Sequence, residues 1–84
     1  SNFLYAVAHN FLKEKNVDFN LLKPLISETA NKIQLHDPNT VQTGPAVRND
    51  KMIMDKHVDL LKDHPDWQSL YRLLSEGILK NHFK

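Results

Sequence analysis

Apolar residues recur at helical spacing along almost the whole chain, and prolines break that pattern into segments. Phe3, Leu4, Val7, Ala8, Phe11 and Leu12 follow the i, i+3, i+4 rule of one helix face. This helix is expected to end near Asn16, with Asp18 as the N-cap of the next segment. Leu21, Leu22, Leu25, Ile26, Ala30, Ile33 and Leu35 form a second stripe, interrupted by Pro24. An interior proline removes a backbone hydrogen bond and clashes with the preceding turn. The segment is therefore a kinked helix, or a short turn followed by a helix that starts at Pro24. Asp37 is placed to cap a short turn containing Thr40 and Val41. Asp50 is placed to cap a third main helix carrying Met52, Ile53, Val58, Leu60 and Leu61. His64-Pro65 stops that helix, because the residue before proline avoids helical angles. Pro65 suits the first turn of a last helix, with Trp67, Leu70, Tyr71, Leu74 and Ile78 on one face.

No strand competes with this reading. Alternating Val, Ile and Thr runs are absent, as are Asn-Gly and Asp-Gly hairpin turns. The expectation is a single all-α domain of four to five helices over residues 1–84. At this length folding buries only about 60–65% of the surface that the unfolded chain exposes. The chain has no cysteine, so neither a disulfide nor a thiolate zinc site supplements that small core. Helix packing, self-association or docking on another domain must supply the remainder.

The charge pattern excludes some functions. Eleven basic and ten acidic residues are interspersed and leave a net charge of +1. A nucleic-acid binder would concentrate Lys and Arg on one face, and no such stripe is visible. Nothing approaches the roughly 20 apolar residues needed to span a bilayer. Neither nucleic acid nor membrane is an expected partner.

Chemistry-bearing residues are present without the spacing that chemistry needs. The five histidines include no i, i+4 pair of the helical zinc type, so no metal site is expected and capping or solvated roles are. Ser27, Ser69 and Ser75 fall inside expected helices, without the strained elbow that presents a serine nucleophile. Glu28 and Glu76 have no second acid beside them in sequence. No catalytic residue is assigned.

The best site candidate is the stretch Gln42-Thr43-Gly44-Pro45-Ala46-Val47-Arg48-Asn49-Asp50, which holds one of only two glycines. Gly44 permits positive φ, and Pro45 fixes the next φ. Together they aim Arg48 and the first amides of the following helix. Such an arrangement can hold a carboxylate or phosphate. It can equally be structural, with Arg48 paired to an acidic side chain or capping the preceding helix, and Asp50 satisfying the amides itself. Thr43, Gly44, Pro45 and Arg48 are the candidate cleft residues.

Trp67, Tyr71 and Phe11 read as core or interface anchors. Apolar stripes on every helix of so short a chain leave surface to be covered. A two-fold homodimer is expected, with the first helix contributing Phe3, Val7 and Phe11.

The order of short motifs carries a family resemblance. Leu4-Tyr5-Ala6-Val7-Ala8 resembles a leading helix, and Leu22-x-Pro24-Leu25-Ile26-x-Glu28-Thr29 a second. Gln42-Thr43-Gly44-Pro45-Ala46-Val47-Arg48-x-Asp50 resembles a central loop. His57-x-x-Leu60-Leu61 and Leu70-Tyr71-x-Leu73-Leu74-Ser75 resemble the last two helices. In this order they are similar to domain of unknown function 2520. That helical domain follows a Rossmann-like dinucleotide domain in bacterial NADP-dependent oxidoreductases. It is similar in turn to the C-terminal domains of 6-phosphogluconate dehydrogenase and pyrroline-5-carboxylate reductase.

The resemblance implies a C-terminal domain that mediates dimerisation and closes the substrate cleft over the nicotinamide end of the cofactor. It implies NADP for the intact, cytoplasmic protein, with the Rossmann-like domain lying outside this chain. The Thr43–Arg48 loop would lie near the cleft or the subunit contact. The chain itself has no Gly-x-Gly-x-x-Gly and no strand before one. No cofactor-binding residue is therefore assigned to it, and by itself it is expected to be inactive. Two other readings stay open: a stand-alone helical protein-interaction module, and a small-anion module centred on Arg48.

Overall fold

The computed structural model describes residues 1–83. Four α-helices are present: α1 (Asn2–Glu14), α2 (Lys23–Leu35), α3 (Lys51–Leu60) and α4 (Pro65–His82). Two short 3-10 turns, Phe19–Leu22 and Pro38–Thr40, precede α2 and follow it. No strand occurs among the described residues, and the fold is all-α. The chain divides into two compact units, Ser1–His36 and the residues from Asp37 onward.

In the first unit, α1 and α2 each pack on the 3-10 turn between them. Helix α1 stops at Glu14 because Asn16 enters the left-handed region at φ 58°. The Asn16 amide donates to the Lys13 carbonyl, and the Val17 amide to the Leu12 carbonyl at 2.9 Å. This pair of bonds is a Schellman cap, which satisfies carbonyls the helix end would otherwise leave open. Asp18 then opens the 3-10 turn, its carboxylate accepting from the Asn20 amide at 2.9 Å. Pro24 lies in the first turn of α2. Of the two readings open for this proline, the short turn followed by a helix is the one observed. There it costs no intrahelical bond.

In the second unit, the device of Asp18 recurs at Asp37, which accepts from the Asn39 amide at 2.9 Å and starts the Pro38–Thr40 turn. Helix α3 packs against α4. The Gln68 side chain of α4 donates to the Val58 carbonyl at 2.8 Å, in the last turn of α3. Pro65 is the first residue of α4, and the His64 ring stacks on Trp67 with centroids 3.7 Å apart. Asp66 in the first turn and Lys80 and His82 in the last complement the helix dipole.

The expected apolar stripe of α3 needs correcting. Met52 and Leu60 are 71% and 57% exposed. The half-buried positions are Ile53, Met54, His57, Val58 and Leu61. These five cluster on one arc of a 3.6-residue helix, and Met52 and Leu60 fall off it. Ala46 alone is buried among the described residues, at 5% exposure. The best-covered point of the second unit is thus the corner before α3.

Candidate functional site

The corner is built residue by residue from the Thr43–Asp50 stretch. Gly44 has φ +103°, a conformation that a side chain would strain. Pro45 follows and begins one tight turn over Pro45–Asn49. The Asp50 amide donates to the Pro45 carbonyl at 2.9 Å, and the Asn49 amide to the Ala46 carbonyl at 3.1 Å. Asn49 has φ 53°. The bonding is the same Schellman pattern that ends α1, here closing a single turn. Its last residue, Asp50, caps the next helix: the carboxylate accepts from the Ile53 amide at 3.3 Å. One turn is thus locked at both ends, with the methyl of Ala46 covered beneath it.

Within this frame Gly44 and Pro45 are half-buried, while Thr43 and Arg48 are exposed. The Arg48 guanidinium has no ion pair or hydrogen bond among the described residues; the ion pair found there joins Lys32 to Glu28 at 3.6 Å. Asp50, by contrast, is occupied with the amide of its own helix. An anion at this helix end would meet the Asp50 carboxylate. Of the dimer candidates on α1, Val7 and Phe11 are half-buried and Phe3 is 61% exposed. The Lys15 ammonium lies 5.6 Å from the Phe11 ring centroid.

The α3/α4 contact brings together a pair that the sequence spacing did not reveal. His57 Nδ1 and the Tyr71 hydroxyl are 2.6 Å apart, with the rings edge to face. Burial pushes the Tyr71 phenol above its usual value, and a hydrogen bond from the Ser75 side chain partly offsets this. The two groups share one hydrogen bond, whose donor is set by the His57 tautomer. Reading His57 as solvated missed this. The available signal was its position on the arc of Ile53, Met54 and Val58. Tyr71 also lines a groove of about 170 Å³ between the two helices, with Met54 and Val58 on the facing wall. Ser69 is engaged with the Pro65 carbonyl at 3.1 Å. No cluster of three or more metal-ligating side chains exists among the described residues, and no helix there is long and apolar enough to cross a membrane.

The family described as "Domain of unknown function (DUF2520)" matches residues 1–78. The chain belongs to the DUF2520 family. A search of curated proteins finds no match. Among solved structures, this DUF2520 chain is similar to the "putative NADP oxidoreductase" of Bacteroides fragilis, at 44% identity and TM-score 0.93. The match covers 95% of this chain and 31% of that one. The DUF2520 chain therefore spans about a third of the length of the structure it matches.

Proposed function

We propose that this DUF2520 chain is the C-terminal dimerisation and substrate-cleft domain of a cytoplasmic, NADP-dependent oxidoreductase, and that it is inactive by itself. The observation that carries this reading is the likeness to the Bacteroides fragilis protein, at 44% identity over nearly the whole chain. At that identity a shared architecture and a shared role in the larger protein are the economical reading. The cofactor would be held by a Rossmann-like domain preceding Ser1, since this chain offers no glycine-rich phosphate loop.

In this reading the locked corner is a wall of the cleft. Thr43, Gly44 and Pro45 shape it, and Arg48 supplies an unpaired guanidinium for a carboxylate or phosphate of substrate or cofactor. Phe3, Val7 and Phe11 on α1 contribute to a two-fold contact between subunits. The exposed apolar residues also suit a stand-alone interaction module, which would need no dinucleotide domain. The sequence preceding Ser1 discriminates the two. A glycine-rich βαβ unit there is the expected result, and its absence would overturn the oxidoreductase reading.

A further inference from the structure

Gly77 sits in the interior of α4, where glycine is less favourable than alanine. Nothing in this fold demands it. A Cβ built there meets no atom within 4 Å, and the backbone is not in the positive-φ region. Gly77 lines a groove of about 360 Å³ within the second unit. That volume is within the range of small-molecule sites. One wall is apolar, from Leu73, Leu74 and Ile78 of α4. Asn39, Gln42 and Asn81 add amides to the lining, and His82 adds an imidazole. No Asp, Glu, Lys or Arg lines the groove among the described residues, whereas the groove lined by Tyr71 and Met54 includes Asp55, Arg72 and Glu76.

The amide groups are positioned, and part of their capacity is free. Asn81 Nδ2 donates to Asn39 Oδ1 at 2.8 Å, which ties the end of α4 to the Pro38–Thr40 turn. Asn39 Nδ2 donates onward to the Asp37 carboxylate at 3.0 Å. Gln42 Nε2 donates to the Thr43 carbonyl at 3.1 Å. Each of these NH2 groups has a second hydrogen. The side-chain carbonyl oxygens of Gln42 and Asn81 have no partner among the described residues. The rim therefore offers amide acceptors and donors side by side. The last turn of α4 adds the partial negative charge of a helix C-terminus, which disfavours a carboxylate and offsets only part of the hydration an ammonium would lose.

We propose that this groove is a binding site for an uncharged small molecule carrying an amide. The amide pairs with Gln42 and Asn81, its apolar part lies on Leu73, Leu74 and Ile78, and Gly77 leaves room for close approach to the helix. A carboxylate or ammonium of the same shape would lose hydration for a groove lined by no Asp, Glu, Lys or Arg. The site does not depend on the oxidoreductase reading, because it lies within this chain and needs no cofactor.

The test is an amide-proton NMR titration of the 84-residue chain with three isosteric probes: propionamide, propionate and propylammonium. Propionamide should shift the signals of Gln42, Gly77 and Asn81, with affinity about tenfold or more above either charged probe. Gly77→Leu fills the groove and should abolish the effect. Gln42→Ala combined with Asn81→Ala removes the pairing groups without filling the space, and should weaken binding about tenfold. The double variant decides the matter should Gly77→Leu fail to fold. The proposal is overturned by absent or scattered shifts, by equal binding of a charged probe, or by binding unchanged in the variants. It also fails if the groove signals move with protein concentration alone, which would mean that a second copy covers the groove.

Discussion

Gly44 and Gly77 should respond to substitution with opposite signs. Neither would place a new Cβ against a neighbour, so backbone conformation decides. Gly44 is at φ +103°, and Gly44→Val should cost about 1–3 kcal/mol in urea unfolding. Gly77 is helical, and Gly77→Ala should stabilise by about 0.5–1 kcal/mol. Arg48→Ala should cost the 84-residue chain less than about 1 kcal/mol, because the exposed guanidinium has no partner to lose among the described residues. In the intact protein the same change should raise KM for substrate or cofactor. Unfolding of the chain by Arg48→Ala would make it a structural clamp and end its assignment to the cleft. Tyr71 gives a pH signature. Its pKa is raised in the fold, so the folded state holds the phenolic proton more tightly than the unfolded state. That stability is fully present below about pH 10, the unfolded value, and is lost as pH rises through the folded value. Tyr71→Phe should remove this part of the alkaline fall in thermal stability.

At the scale of elements, the helices were legible because each is announced by short-range chemistry. Asp18, Asp37 and Asp50 are recognisable as caps, and all three accept from a backbone amide two or three residues on. Pro24 and Pro65 mark first turns. Asp50→Ala should therefore cost about 1 kcal/mol, read from the unfolding midpoint. What escaped depends on backbone angles or on pairs distant in sequence. The Schellman closures at Asn16 and Asn49 need asparagine at φ near +55°, and asparagine alone does not declare that angle. Replacing Asn49 with valine should destabilise the corner by about 1–2 kcal/mol, whereas Asn49→Gly should be tolerated. The His57–Tyr71 bond joins residues 14 apart on different helices, so periodicity within one helix could show the face of each but not the pairing. The corner itself was visible from its glycine and proline. The covered Ala46 at its centre was not, because alanine is at home both inside and outside a fold.

For the whole molecule, the account turns on surface that the chain leaves open. Ala46 is buried, and large apolar side chains such as Phe3, Leu21 and Leu73 are mostly exposed. This DUF2520 chain spans 31% of the structure it resembles, and in the proposed reading such residues would meet a second subunit and a neighbouring domain. Sedimentation equilibrium should show a dimer over micromolar to millimolar protein, weakened by Phe3→Ser. A concentration-independent monomer would contradict the two-fold contact. The central claim, that this is the cleft domain of an NADP-dependent enzyme and not an enzyme alone, is tested most directly by NADPH oxidation. The intact protein and the 84-residue chain would each be assayed with a panel of imines and 2-keto acids. The account predicts substrate-dependent NADPH consumption by the intact protein and none by the chain. Turnover by the chain alone, or none by the intact protein with any member of the panel, would contradict it.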